Sequence, residues 1–259
     1  MGSHHKVAKL SVPQFHGNRL LIMRYTAYAK WVLVLFIAST LLPTPASAQP
    51  IDEDKIGAWY IYAFNYDAQH SRWGAQGDLQ YRNWDTIGDL EQLLIRSGVT
   101  YRPVSLPGKY TLGYANITSG TFGSSSRTLQ EDRVYQEALF PHRLGERVYV
   151  RHRLRYEQRW VEYQDFRTRF RYGLFVDIPF NKTTLDKDAW YLSLYNEIFL
   201  NGEHDIGLDK RVDTYDRNRF YAAIGYSLSD NTKFQFGLMR QHSKNVEKNQ
   251  WQLSLIQNF

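Results

Sequence analysis

Apolar and polar residues alternate with a period of two over long stretches of this chain, and this pattern constrains the fold more than any other feature. Successive side chains of a β-strand point to opposite faces, so the alternation predicts strands with one apolar and one polar face. Residues 72–84 contain an apolar and a polar set, namely Trp73, Ala75, Gly77, Leu79 and Tyr81, and Arg72, Gln76, Asp78, Gln80 and Arg82.

The alternation predicts eleven candidate strands in all. Besides 72–84, these are 57–67, 90–102, 109–117, 133–140, 147–160, 166–178, 189–200, 217–228, 232–241 and 249–259. Most run for roughly nine to fourteen residues, whereas ordinary strands have about five or six and a tilted bilayer-crossing strand needs roughly nine to eleven. Turn-forming residues separate the strands without a linker or a shift in composition, so we predict one domain.

We therefore predict an all-β fold, a closed antiparallel transmembrane β-barrel of about ten to twelve strands. Bacterial single-chain barrels have an even number of strands, which favours twelve. A secreted or periplasmic β-sandwich would also alternate and is the alternative fold. The barrel is favoured because the strands are long, their polar faces are rich in arginine, and aromatic residues cluster toward strand ends, as in the girdles of membrane barrels. Trp59, Trp160 and Trp190 are among these predicted interfacial aromatics.

The N-terminal part contains a pattern typical of an export signal. The apolar run Trp31–Leu42 follows basic residues and is shorter than the roughly twenty residues of a spanning helix. It precedes Ala46-Ser47-Ala48, which has the small-x-small form of a signal-peptidase site. We expect a signal peptide over 23–48 that is cleaved near Ala48, an upstream extension or mis-assigned start over 1–22, and the barrel over 49–259.

The distribution of charge argues against a nucleic-acid partner. The chain has 32 Lys and Arg and 26 Asp and Glu, a net charge of +6. Five of the basic residues and none of the acidic ones lie in residues 1–48, which leaves a net charge of +1 on residues 49–259. Nucleic-acid binding depends on a basic excess that this predicted mature chain lacks.

The C-terminal segment predicts where the protein is delivered. Trp251, Leu253, Leu255 and Phe259 share one parity, and Phe259 is the last residue. A final strand with alternate apolar residues and a terminal aromatic resembles the signal by which outer-membrane proteins engage the barrel-assembly machinery, although Gln257 departs from it. With the signal peptide, this predicts the bacterial outer membrane as location and its lipid as surroundings.

Composition excludes several classes of protein. The absence of cysteine excludes a disulfide framework, a thiolate zinc site and a cysteine nucleophile. A mean hydropathy of −0.52 does not fit a polytopic helical membrane protein. We predict neither a cofactor nor a metal site, because the acidic residues between Asp205 and Asp216 lack the spacing of a calcium loop.

Two arginine-rich segments resemble a known family. They are His152–Arg159 (HRLRYEQR) and Phe166–Tyr172 (FRTRFRY), and Asn196–Asn201 and Arg217–Tyr221 follow in order. These segments are similar to the central and later blocks of a bacterial family catalogued as a domain of unknown function, number 2490, over the whole predicted mature chain. The resemblance implies an outer-membrane-type β-barrel and brings no established activity, substrate or catalytic residue.

If the apolar parity faces lipid, the other parity makes the lumen rich in arginine. The candidate lumenal, anion-facing residues are Arg151, Arg153, Arg155, Glu157, Arg159, Arg167, Arg169, Arg171, Glu197, Arg217 and Arg219. Arginines on neighbouring strands repel one another, so something must compensate them. The candidates are Glu197, Asp78, tyrosine hydroxyls, water or a bound anion, while Arg82, Arg96 and Arg102 would add positive charge.

Three functions fit such a lumen. In the favoured interpretation, the polar side chains form a network that plugs a small barrel. In the second, they line a narrow anion-preferring channel or bind a small anionic ligand. A lipid-modifying enzyme would need a Ser–His pair that uses His70, His142, His152, His204 or His242. The chain has neither a GxSxG nor an HExxH motif, so we do not expect an enzyme.

Overall fold

The computed structural model describes residues 55–123, 125–244 and 246–259. Within these ranges the chain forms eleven β-strands: β1 (Gly57–Asp67), β2 (Trp73–Asn83), β3 (Leu90–Tyr101), β4 (Lys109–Gly120), β5 (Thr128–Leu144), β6 (Val148–Val161), β7 (Arg167–Pro179), β8 (Trp190–Asn201), β9 (Tyr215–Ser227), β10 (Thr232–Ser243) and β11 (Glu247–Asn258). These ranges contain no helix that is both long and apolar enough to span a membrane. The predicted signal peptide and the segment upstream of it lie outside the described residues.

The eleven strands close into a single barrel. Each strand pairs antiparallel with its neighbours in the chain, and β1 closes the ring against β11 as a parallel pair, with Gly57 opposite Gln250 and Asn65 opposite Asn258. The all-β closed barrel is thus confirmed, and the β-sandwich is wrong. The preference for twelve strands and for purely antiparallel pairing needs correction. Strand direction alternates along the chain, so an odd number of strands brings the first and last together in the same direction.

The faces of the barrel reverse the usual distribution of apolar and polar residues. On β6, Arg155, Glu157 and Arg159 point inward and are 5%, 1% and 3% exposed, whereas Leu154 and Trp160 point outward and are 50% and 48% exposed. Large apolar side chains are exposed on strands all round the barrel, while glutamines, arginines and glutamates dominate the buried set. Soluble proteins usually bury their large apolar residues, so this barrel has the opposite distribution, with apolar side chains outward and polar ones inward.

Most connections at both ends of the barrel have three to seven residues, and the two longer ones, 180–189 and 202–214, lie at opposite ends. We call the end at which β11 finishes the C-terminal end, and the opposite one the distal end. The short connection 228–231 lies at the C-terminal end, and the longest connection, 202–214, lies at the distal end. The interior below connection 202–214 is the part of the barrel in which most of the arginine side chains meet.

Two glycines allow interior tyrosine rings to lie flat against a neighbouring strand. Gly113 is opposite Tyr135, and Gly225 is opposite Tyr191. A Cβ atom would lie 2.3 Å from the Tyr135 ring if added at Gly113, and 2.2 Å from the Tyr191 ring if added at Gly225. Both tyrosines are buried, and Tyr191 is only 1% exposed.

Replacement of Gly225 by valine should therefore destabilise the barrel, because the Tyr191 ring must move within a packed interior. Overpacking of this kind costs about 1–3 kcal/mol. The expected result is a lower unfolding midpoint of the folded protein in detergent. Ala222→Val, on the outward face of the same strand, is the matched control and should shift the unfolding free energy by no more than about 0.5 kcal/mol. Equal midpoints for the two variants would contradict the prediction.

Candidate functional site

Six charged side chains form a closed ring on the inner wall made by β5, β6, β7 and β8. We call it the ion-pair ring, and its members, in order, are Glu157, Arg171, Glu197, Arg153, Glu137 and Arg155. The six N···O distances around it, starting with Glu157–Arg171, are 2.6, 2.8, 2.7, 3.8, 2.5 and 3.7 Å. Each carboxylate therefore lies between two guanidinium groups, and the ring as a whole is neutral.

The register of the strands explains why this pairing is needed. Arg155 lies directly opposite Arg171, and Arg159 lies directly opposite Arg167, so like charges face each other between β6 and β7. Glu157 relieves the first of these contacts, because it is the diagonal neighbour of Arg171 and accepts a hydrogen bond from that guanidinium at 2.6 Å. Removal of one partner from such a buried pair leaves an uncompensated charge.

Two smaller groups extend the pairing toward the distal end. Glu131 accepts from Arg133 at 2.7 Å and from Arg159 at 2.5 Å. Asp216, at the start of β9, pairs with Arg169 at 3.0 Å and with Arg217 at 3.1 Å. Toward the C-terminal end, Arg151 pairs with Asp177 at 2.7 Å. Every predicted lumenal residue except Arg167 and Arg219 therefore forms an ion pair in the described part of the chain.

The inward-facing Trp59 is packed against two arginines that have no carboxylate within ion-pair distance among the described residues. The guanidinium carbon of Arg82 lies 3.7 Å from the centre of the indole ring, and that of Arg219 lies 4.8 Å from it. The indole N–H donates to Glu91 at 2.8 Å. Trp59 is 2% exposed, so its prediction as an interfacial aromatic was wrong.

Comparison with protein families gives one match. The model of a family described as a protein of unknown function, DUF2490, matches residues 56–252. The chain belongs to this family. Comparison with curated proteins and with solved structures gives no match. The DUF2490 match covers β1 to β10 and the first half of β11, so it includes all six members of the ion-pair ring.

In this DUF2490 protein, sequence analysis missed the contribution of β5. The inward face of β5 carries Glu131, Arg133 and Glu137. The predicted strand 133–140 did not include Glu131, and because it contains few arginines, no site residue was predicted on it. The parity of Glu131, Arg133, Tyr135 and Glu137 was the signal that could have identified them. Asp78 pairs with Arg96 at 2.7 Å and not with the arginines of β6 and β7. Arg102 does not join the interior either, because it pairs with Asp67 in an exposed position.

The remaining candidates lie away from the ion-pair ring. Trp251, Leu253 and Leu255 point outward on β11, and the backbone N–H of Phe259 donates to the carbonyl of Asn65 at 2.8 Å. The His152 ring lies on the outer face, 2.8 Å from the Tyr172 hydroxyl. No histidine ring hydrogen-bonds a serine hydroxyl within the described residues, and no group of three His, Asp or Glu there could hold a metal ion.

The distal mouth of the barrel is lined by both basic and acidic side chains. A cavity of about 660 Å³ lies beneath connection 202–214, and its charged lining consists of Arg211, Asp213, Asp216, Arg217 and Lys244. Lys244 donates to Asp213 at 2.8 Å, which ties the connection to the turn after β10. This hydrogen bond, together with the positive charge of Lys244, lowers the pKa of the Asp213 carboxyl. The tie is therefore formed at neutral pH.

Loss of one ring carboxylate should destabilise the barrel strongly. Glu157→Gln leaves Arg155 and Arg171 without their shared buried carboxylate, and breaking a buried pair costs about 3–5 kcal/mol. We expect a large drop in the unfolding midpoint of the folded protein in detergent. Glu247→Gln is the control, because Glu247 pairs with Arg240 at the exposed outer surface, where an ion pair contributes about 0–1 kcal/mol. Similar losses in both variants would contradict a special role for the ring.

Proposed function

We propose that this protein is an outer-membrane β-barrel whose interior is closed by its own charged and aromatic side chains, so that it does not act as an open pore. The observation that carries the proposal is a layer of side chains between two separate interior cavities. The signal-peptide pattern and the C-terminal strand support the location, and the apolar outer surface supports insertion into lipid.

Strand length and aromatic positions support a membrane-spanning barrel. A twelve-residue strand such as β8 extends over roughly 36 Å, which at the usual tilt of about 35–45° crosses roughly 25–30 Å. Exposed aromatic pairs lie near both ends: Trp73 with Tyr101 and Trp190 with Tyr226 toward the C-terminal end, and Trp160 with Phe166 toward the distal end. Such pairs match the two interfacial girdles of outer-membrane barrels.

The closure is made by residues that line both cavities. The cavity nearer the distal end, which we call the distal cavity, has a volume of about 170 Å³ and is distinct from the space beneath connection 202–214. The second cavity has a volume of about 270 Å³. Seven residues line both and form what we call the partition: Ile61, Gln80, Arg96, Arg153, Phe175, Tyr195 and Gln252. Hydrogen bonds and ion pairs hold the partition in place, including Tyr195 to Gln252 at 3.2 Å and Arg153 to Glu197 at 2.7 Å.

The same reasoning gives an orientation and a partner in assembly. We propose that the C-terminal end faces the periplasm, where the outward residues Trp251, Leu253 and Leu255 and the terminal Phe259 engage the barrel-assembly machinery. Connection 202–214 then faces the outside, as expected for the longer loops of such barrels. We propose neither a cofactor nor a catalytic role, and the narrow anion channel becomes the competing function that the following experiment tests.

Planar-bilayer recording should detect no steady current through the wild-type protein, because the partition separates the two cavities. Arg96→Ala/Arg153→Ala/Phe175→Ala removes three partition side chains and should produce a measurable current. Arg240→Ala, on the outer surface, is the matched control and should remain silent. A steady anion-selective current through the wild-type barrel would favour the channel instead.

The location has its own test. Cell fractionation should place the protein with the outer membrane, and the unheated protein should migrate differently from the heated one on a denaturing gel. A soluble periplasmic monomer would contradict the proposal regardless of the conductance result.

A further inference from the structure

We infer that the distal cavity is a binding site for one small free oxyanion that carries two or more negative charges, such as phosphate. The inference deepens the proposed function and rests on the partition as the floor of the cavity. It follows from an excess of positive charge, from two arginines of the lining that have no carboxylate partner, and from an opening toward the distal mouth.

The first argument is the balance of charge. Nine arginines and two glutamates line the distal cavity. The carboxylates that form ion pairs with those arginines are Asp78, Glu131, Glu137, Glu157, Glu197 and Asp216. These six carboxylates leave an excess of three positive charges, and the buried Glu91, which accepts from Trp59, lowers it to two. Glu137 and Glu157 are also shared with Arg155, which restores part of the excess. Charges in a confined interior are weakly screened, so the excess favours an anion.

The second argument is that two arginines of the lining lack a carboxylate partner. Arg82 and Arg219 have only neutral hydrogen-bond acceptors among the described residues, the side-chain oxygens of Gln80, Gln92 and Gln241. Both side chains are buried, so each carries a positive charge without a counter-charge in contact. An arginine fork is well suited to an oxyanion.

These arginines are held rigidly, as a binding site requires. The indole ring of Trp59 is contacted by the guanidinium of Arg82 and by that of Arg219. Arg219 also lies 4.8 Å from the centre of the Phe199 ring. Stacking on aromatic rings fixes the plane of each guanidinium, and an anion would compete with neutral glutamine oxygens for its N–H groups. A site that is organised before binding loses less entropy when the anion enters.

The third argument is access from one side. Arg217 lines both the distal cavity and the space beneath connection 202–214, so a ligand from the distal mouth would pass the Arg217 side chain. Arg211, Arg217 and Lys244 line the outer space together with Asp213 and Asp216, which leaves one positive charge in excess there. In the proposed function, the partition closes the other side. A ligand that enters from the distal mouth would be retained rather than passed through.

The size of the cavity restricts the ligand. Its volume of about 170 Å³ is more than ten times the roughly 10–15 Å³ needed for one water molecule. This space suits a compact oxyanion with a few waters and excludes a nucleic acid or a peptide. The lining is almost entirely polar, with Ile61, Leu94, Trp59, Phe175 and Phe199 among the few apolar residues, so an apolar ligand would gain little there.

The test is calorimetric titration of inorganic phosphate into the folded protein in a maltoside detergent that contains no phosphate. We expect one saturable site per barrel whose affinity falls as salt increases. Each of Arg82→Gln and Arg219→Gln should weaken binding by roughly ten- to a hundredfold, as expected for loss of one charged hydrogen bond. Heat-modifiable migration checks that each variant is folded, and Arg219→Lys keeps the charge if the glutamine variant does not fold.

Two control variants make the result specific. Arg240→Gln alters an arginine on the outer surface, and Arg151→Gln alters an interior arginine that lines only the other cavity, so both should bind phosphate as the wild type does. No saturable binding by the folded protein would overturn the inference, and so would equal weakening in all four glutamine variants. These results are independent of the proposed closure of the barrel. If the barrel were open, the wild-type protein would carry current across a bilayer, whereas a wrong binding site would show as absent phosphate binding in detergent.

Discussion

The ion pairs between buried arginines and carboxylates are the interaction on which the rest of this barrel depends. Direct opposition of Arg155 with Arg171 and of Arg159 with Arg167 would repel β6 from β7 if no carboxylates lay between them. Glu157 from β6, Glu197 from β8, and Glu131 and Glu137 from β5 supply those carboxylates. Four consecutive strands are therefore bound to each other through their side chains as well as through their backbones, and Glu157 is 1% exposed at the centre.

This arrangement replaces the apolar core of a soluble barrel. The described interior has only two small apolar clusters, one around Trp59, Tyr221, Ala223 and Met239, and one formed by Leu94, Ala115 and Ile117. Burial of these few residues cannot provide the hydrophobic stabilisation expected of a chain of this length. The apolar area is on the outside, so backbone hydrogen bonds in a closed sheet and interior ion pairs hold the fold, and lipid contact would add to them in the proposed membrane location.

Local pattern and cross-strand contact differ in how far they could be predicted from the sequence. Period-two alternation is a property of each strand alone, so it predicted the strands and the inward parity of residues such as Arg153 and Glu197. The partner of each arginine depends on register, which no single strand reveals, and this is why Glu131 and Glu137 were missed. Trp59 was misplaced because an aromatic near a strand end suits an interface, whereas here Arg82 and Arg219 hold it inside. The parallel closure of β1 with β11 depends on the total number of strands. The even strand number of bacterial single-chain barrels predicted an antiparallel closure instead.

The net charge of the chain gives a misleading impression of its electrostatics. Residues 49–259 carry a net charge of only +1, yet nine arginines meet two carboxylates around the distal cavity. At the ion-pair ring, carboxylates and arginines match in number, so the positive charge is neutralised. Positive charge remains in excess where Arg82 and Arg219 stack on Trp59. If ion pairing served only to fill the barrel, matched numbers throughout would suffice, as they do in the ring. The local mismatch costs stability wherever no anion is bound, so its position around a cavity argues for recognition rather than for packing.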